Sequence, residues 1–157
     1  MYRASLVFPL LATACGADPT EAERVAAELT GGTVAGEAAR IEEDGHDLWQ
    51  MSVSMSNGAE LEVLIHVEDD ALYEIADTAG PFDYAMDPLP GQLTYDEGLA
   101  VARGEVEGEQ EAWEVKDDGE AYFYEFYLRE AGDQLWEIKL WADAGEVFSV
   151  EGKDEVD

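Results

Sequence analysis

The sequence predicts an α+β fold built from two tandem helix-plus-antiparallel-sheet units, each in the order α-β-β-β. A helix-start pattern occurs twice, at Asp18-Pro-Thr-Glu21 and at Thr94-Tyr-Asp-Glu97. Each is followed by alternating apolar segments separated by Asp-Gly, Asn-Gly or Gly-Asp dipeptides, which favour hairpin turns. The third predicted strands of the two halves, Leu61–Ile65 and Trp136–Leu140, also align. The chain therefore reads as an internal duplication.

The two predicted helices start with capping boxes, in which a cap side chain and a glutamate three residues later satisfy free backbone N–H groups. Pro19 suits the first turn of a helix. Apolar residues follow at helical spacing in both segments. In the first helix they are Ala22, Val25, Ala26 and Leu29, and in the second Leu99, Ala102 and Val106. Gly31-Gly32 ends the first helix, and Gly104 weakens the second near its end.

Successive side chains of a strand point to opposite faces of the sheet. A strand with apolar residues on both faces therefore needs a covering layer on each face. In the second half Tyr122, Tyr124, Phe126 and Leu128 are predicted to face the helix. The opposite face carries a further apolar set, namely Phe123, Tyr127, Leu135 and Trp141. We expect this set to form either a partner-binding surface or the seam between the two units.

Composition and motifs divide the chain into five parts. These are a signal peptide at 1–14, a first unit at 15–79, a linker at 80–93, a second unit at 94–152 and an acidic tail at 153–157. The linker contains Pro81, Pro88, Pro90 and Gly91, which predicts a stiff connection or a lid-like crossing.

The N-terminus has the pattern of an export signal. Arg3 precedes an uncharged, mostly apolar stretch at 4–14, which is shorter than the roughly 20 residues that a membrane-spanning helix needs. Small residues lead into Cys15, the only cysteine, as in the lipobox of bacterial lipoproteins. The lipobox usually has a large aliphatic residue where Ala12 stands. An ordinary signal peptide cut before Cys15 and a buried N-terminal element are the alternatives.

Lipidation of Cys15 would anchor the chain in a bilayer outside the cytoplasm and leave no free thiol for redox or metal chemistry. Gly16, rather than aspartate, follows the cysteine. In a Gram-negative cell this pattern resembles that of lipoproteins sent to the outer membrane.

The charge is strongly acidic, with 38 acidic against 8 basic residues and a net charge of −30 at pH 7. We do not expect nucleic-acid binding, because it needs a basic surface. The acids lie among aromatic and β-branched residues, which indicates a folded domain rather than a disordered tail. Adaptation to salt and binding of a cationic partner both explain such a surface.

The second half resembles a PepSY domain. The resemblance rests on the runs TYDEGLAVARGEVEGE, EAWEV, YFYEFYLRE and QLWEIKLWADAGEVFSVE, which end with Asp143, Gly145, Glu146 and Val147. The first half matches more loosely, with Asp70 and Leu72 where Gly145 and Val147 stand. The resemblance covers 18–152 and implies an extracytoplasmic binding or inhibitory module with a secreted or envelope peptidase as target. It implies no catalytic residues.

Enzymatic chemistry is not expected, and a hydrolase is the least favoured interpretation. His46 and His66, the only histidines, are interpreted as a surface and an interface residue. No H-E-x-x-H motif or nucleophile elbow occurs. The acidic turn of Glu68, Asp69 and Asp70 is a weak candidate for calcium, although it lacks the EF-hand pattern. No cofactor is expected.

The sequence thus favours a lipid-anchored PepSY-like binding module that modulates an envelope or secreted peptidase. The alternative is an acidic envelope protein with a structural or divalent-cation-buffering role and no specific protein target.

Overall fold

The computed structural model describes residues 18–156. The predicted signal peptide and the lipidation site Cys15 lie outside this range. The described chain contains two helices and eight strands in the following order: α1 (Thr20–Thr30), β1 (Thr33–Glu43), β2 (His46–Ser54), β3 (Glu60–His66), β4 (Leu72–Asp77), α2 (Tyr95–Glu105), β5 (Gly108–Asp117), β6 (Tyr122–Glu130), β7 (Leu135–Trp141) and β8 (Val147–Lys153).

All eight strands form one antiparallel sheet whose spatial order is the chain order, β1 to β8. The α+β class is therefore confirmed. The predicted short extension of each half is a full strand, so each half contains four strands rather than three. Strands β4 and β5 pair directly, with Ile75 opposite Val115, and so join the two halves edge to edge.

Both helices pack on the same face of the sheet. Ala22 and Ala26 of α1 and Leu99 and Ala102 of α2 belong to one continuous core. Helix α1 contacts β1, β2 and β3, whereas α2 contacts β6, β7 and β8. The halves therefore share their order of elements, but each helix covers a different set of strands within its own half.

The two helix starts differ. Thr94 and Glu97 form the predicted capping box, in which the Thr94 side chain accepts from the Glu97 N–H and the Glu97 carboxylate accepts from the Thr94 N–H. The predicted box at α1 is wrong, because the cap residue is Pro19 and no side chain caps the helix. Asp18 instead accepts from the backbone N–H of Thr20 at 3.0 Å. As predicted, α1 ends at Gly31, which adopts the left-handed conformation.

The predicted linker packs into the core. Between β4 and α2, Met86 and Leu89 are buried and Phe82, Tyr84 and Leu93 pack against the same core. The segment covers the helix-side face of β4 and shares that of β5 with Tyr95 of α2, which packs on Trp113. It therefore acts as a third covering layer between α1 and α2.

Candidate binding surface

The sheet has an open face, which we define as the side away from both helices. Alternation places Phe123, Glu125 and Tyr127 of β6 on this face, beside Trp141, Lys139, Glu137 and Leu135 of β7. The strand register continues this face onto β5, with Lys116 opposite Phe123 and Glu114 opposite Glu125. The open face is thus a mixture of aromatic and charged side chains.

Three aromatic rings form a cluster where the open face meets the edge strand β8. Trp141 stacks on Phe148 with ring centroids 4.5 Å apart, and Phe123 meets both rings edge-on at 6.3 and 6.0 Å. Phe148 is 45% exposed. We call Phe123, Trp141 and Phe148 the aromatic cluster. Aromatic side chains of this kind are enriched at binding hot spots.

The four predicted open-face residues separate into two groups. Phe123 and Trp141 join the aromatic cluster, whereas Tyr127 and Leu135 are buried with Ala112 and receive a contact from Val156. The halves meet along β4 and β5, whereas Phe123 and Trp141 lie away from this junction, on β6 and β7. Phe148 of the edge strand β8 was not among the predicted site residues.

Buried carboxylates paired with lysines occupy the centre of the open face. Lys139 contacts Glu125 at 2.6 Å and Glu137 at 3.2 Å, and Lys153 contacts Glu137 at 2.6 Å. Glu125 and Glu137 are only 4% and 1% exposed, so contacts with the lysines replace the contacts with water that burial removes. Burial lowers the pKa of Lys139, but the hydrogen bonds and charges of Glu125 and Glu137 together raise it above its ordinary value. These ion pairs link β6, β7 and β8 across the middle of the face.

A second ion pair lies on the strands that join the halves. Lys116 contacts the buried Glu74 at 3.2 Å. Burial nevertheless raises the pKa of Glu74, since the nearby lysine compensates only partly. Neighbouring Glu114 lies opposite Glu125 in the register, and burial together with the charges of Glu74 and Glu125 raises its pKa to about 7. Glu114 therefore exchanges its proton near neutral pH.

The two histidines lie together rather than in separate environments. His46 and His66 meet edge to face at 5.1 Å, and Tyr73 contacts both rings at 5.2 and 5.3 Å. The Tyr73 hydroxyl donates to Asp44 at 3.2 Å. Tyr73 also packs with Leu48 and Leu64 in a small apolar cluster on the open face. Antiparallel pairing of β2 with β3 explains the contact, because it places the start of one strand beside the end of the other.

The calcium hypothesis gains no support from the geometry. Glu68, Asp69 and Asp70 lie in the turn between β3 and β4, where Asp69 accepts a hydrogen bond from the Ala71 N–H. Across residues 18–156 no group of three or more His, Cys, Asp or Glu side chains is arranged to hold a metal ion.

Internal pairing consumes most of the positive charge in the described range. Arg24, Arg40 and Arg129 bind carboxylates at the surface, and Lys116, Lys139 and Lys153 bind those of the open face. Arg103 has no ion pair with any residue in 18–156. The remaining acids thus form an uncompensated negative surface. Within the same range, neither helix is long and apolar enough to cross a membrane.

Comparisons with known proteins leave the family open. No family model matches the chain, and no curated protein shows a significant match. The PepSY resemblance therefore depends on the residues quoted for it alone. Among solved structures, the chain is similar to the putative lipoprotein CD1622 from Clostridium difficile 630, with 15% sequence identity and a TM-score of 0.40 over 74% of this chain and 80% of that one.

Proposed function

We propose that the chain is a lipid-anchored extracytoplasmic protein, built from two PepSY-like units, that acts by binding a secreted or envelope peptidase. The anchor would be Cys15, which follows an export-type apolar stretch. A lipid anchor suits a body of net charge −30, because anionic headgroups would otherwise repel it. The proposed role is non-catalytic and uses no cofactor.

The repeated order of one helix and four strands supports the duplication. Asp44-Gly45 turns between the first two strands of the first half, and Asp118-Gly119 turns at the same place in the second half. The different helix placements would then reflect divergence, since the segment between β4 and α2 covers the central strands together with Tyr95 of α2. Superposing the Cα atoms of 20–77 on those of 95–153 would test this step. A deviation as small as that between related domains would support the duplication.

The single observation that carries the binding role is the exposed aromatic cluster. Phe148 is one of two large hydrophobic side chains that are exposed within 18–156, and it stacks on Trp141 in a protein whose surface is otherwise strongly acidic. Phe123 and Trp141 are half-buried and hold the exposed Phe148 ring in place, so the cluster offers apolar area at low entropic cost, as partner-binding surfaces do.

Two measurements test the proposal. Metabolic labelling with an alkyne palmitate analogue in a bacterial host should label the wild-type chain and retain it in membranes, whereas Cys15→Ala should be unlabelled. The purified chain should lower the initial rate of a secreted zinc metallopeptidase of the thermolysin type, and Phe148→Ser should relieve this inhibition. An unlabelled wild type would exclude the anchor. Equal rates with and without the chain would exclude that peptidase class.

The uncompensated negative surface favours a second candidate, an acidic envelope protein with a structural or cation-buffering role. In this case stability should rise with salt because screening weakens repulsion among the acids. Millimolar calcium and magnesium should then act alike, and Phe148→Ser should have no effect on any interaction.

A further inference from the structure

The sheet has two edge strands, β1 and β8, which differ in how far they are protected against pairing with another chain. An unprotected edge presents unpaired N–H and C=O groups, which natural proteins block with bulges and charges. Strand β1 has a register irregularity between Ala35 and Ala39 and carries Glu37, Arg40 and Glu42. Strand β8 has a smaller irregularity, which leaves Phe148 without a register partner between Val147 and Ser149, and it pairs regularly with β7 from Ser149 to Lys153. Within 18–156 no strand covers its outer side.

Strand β8 also carries exposed apolar side chains on both faces. Phe148, 45% exposed, points to the open face, where it packs with Trp141. Val150, 40% exposed, lies opposite Ile138, whose side chain belongs to the helix-side core. An extended segment added alongside β8 would therefore meet an apolar contact above and below the sheet. Strand addition of this kind gains affinity from main-chain hydrogen bonds and specificity from alternate side chains.

The surroundings of this edge are negative. Five exposed acids lie in or beside β8, and none of them forms an ion pair with another described residue: Asp143, Glu146, Glu151, Asp154 and Glu155. Lys153, the one cation in the strand, contacts Glu137. A second copy of this chain would bring the same acids against these. Charge complementarity instead favours a segment that carries lysine or arginine.

We propose that the outer edge of β8 accepts an extended cationic segment of a protein partner as a ninth strand. The apolar residues of that segment contact Phe148 and Val150, and its basic residues face the acids beside β8. The inference rests on the proposed binding function and specifies the chemistry of the partner.

The test uses a fluorescent decapeptide of alternating lysine and valine as probe, with a matched peptide in which glutamate replaces every lysine. Anisotropy should show binding of the lysine peptide that weakens with salt, and no binding of the glutamate peptide. Val150→Lys places a charge typical of protected edges on β8 and should weaken binding by about tenfold or more. Ala39→Lys makes the same charge change on exposed β1 and should change binding less than about twofold.

Hydrogen exchange on the wild-type chain gives a second measurement that does not depend on whether Val150→Lys folds. The lysine peptide should slow amide exchange of wild-type β8 and leave β1 unchanged. Equal loss of binding in both lysine variants, protection outside β8, or a dimer that Val150→Lys dissociates in the absence of peptide binding would overturn the proposal. Failure of palmitate labelling would remove only the anchor, whereas failure of peptide binding in a labelled chain would remove only this inference.

Discussion

Tyr84 connects Asp77 of β4 to Trp113 of β5 through its hydroxyl, which donates to the Asp77 carboxylate at 2.8 Å and accepts from the Trp113 indole N–H at 2.6 Å. The other Asp77 oxygen accepts from the N–H groups of Ala79 and Gly80. This network ties the covering segment to the two strands that join the halves. Burial is the main reason that the pKa of Tyr84 is raised, so the hydroxyl stays protonated and able to donate.

Tyr84→Phe should destabilise the fold by about 2 kcal/mol, because it leaves the buried Asp77 oxygen and the Trp113 N–H without a partner. Urea unfolding at pH 7 measures the change. Tyr73→Phe is the matched control. Its hydroxyl bonds to Asp44, a residue with an exposed side chain, so its loss should cost less than about 1 kcal/mol. Equal losses in the two variants would contradict the role assigned to Tyr84.

Stability should fall as pH rises from about 4.5 to about 7, because Glu114 has a raised pKa. Its pKa is about 7 in the fold and 4.5 as the ordinary value, so the folded state keeps a proton that the unfolded chain releases within this window. Burial shifts the pKa of Glu74 in the same direction. Below the window both states are protonated and the contribution vanishes.

Glu114→Gln should therefore flatten the pH dependence and stabilise the fold at pH 8 by more than about 1 kcal/mol, a value reduced to allow for partial solvent exposure. Thermal unfolding monitored by circular dichroism between pH 4.5 and 8 measures this. Glu109→Gln, at an exposed site on the same strand, serves as the control. A slope in Glu114→Gln identical to that of wild type would refute the assignment.

The two tryptophans Trp113 and Trp141 should respond very differently to truncation. Trp113 is 1% exposed and packs among Tyr84, Tyr95 and Phe126, so Trp113→Ala should cost about 3–5 kcal/mol. Trp141 is half-buried under Phe148, so Trp141→Ala should cost about 1–2 kcal/mol and still fold. Guanidinium unfolding of both variants tests the difference. A loss of about 3 kcal/mol at Trp141 would make the aromatic cluster a structural core rather than a binding surface.

Thr94→Ala should destabilise by about 1 kcal/mol, because it removes the cap of α2. Thr20→Ala at the start of α1 should cost less than about 0.5 kcal/mol, since no side chain caps that helix. The midpoints of urea unfolding compare the two variants directly. A larger loss in Thr20→Ala would mean that the local contact between Asp18 and Thr20 takes the place of the missing cap.

Local features of the fold were predictable because they depend on neighbouring residues. Residues no more than four positions apart determine three such features: the Thr94–Glu97 capping box, the end of α1 at Gly31 and the Asp44-Gly45 turn. The inward face of β6 followed from alternation, which places Tyr124 and Phe126 in the core.

The pairing of β4 with β5 was not predictable in this way. It depends on the path of the segment between β4 and α2. The prolines and glycines of this segment predict a linker, so the sequence did not indicate that Met86 and Leu89 are buried in the core. The buried Glu125 and Glu137 were missed for a similar reason, because glutamates in alternation normally indicate a solvated face. Their cross-strand neighbours Lys139 and Lys153 were the available signal. Phe148 was missed because an irregularity in β8 turns its ring toward Trp141.

Since every strand bonds only to the strands that precede and follow it in the chain, the sheet contains no crossover. Except at β5, which follows β4 only after the covering segment and α2, each new strand pairs through a short connection with a strand already in place, so little loop entropy is lost. A polypeptide that leaves a ribosome or a translocation channel amino-terminus first can assemble such a sheet in order of arrival. Among the described residues β8 is the last strand to emerge, so the edge that it forms is completed last.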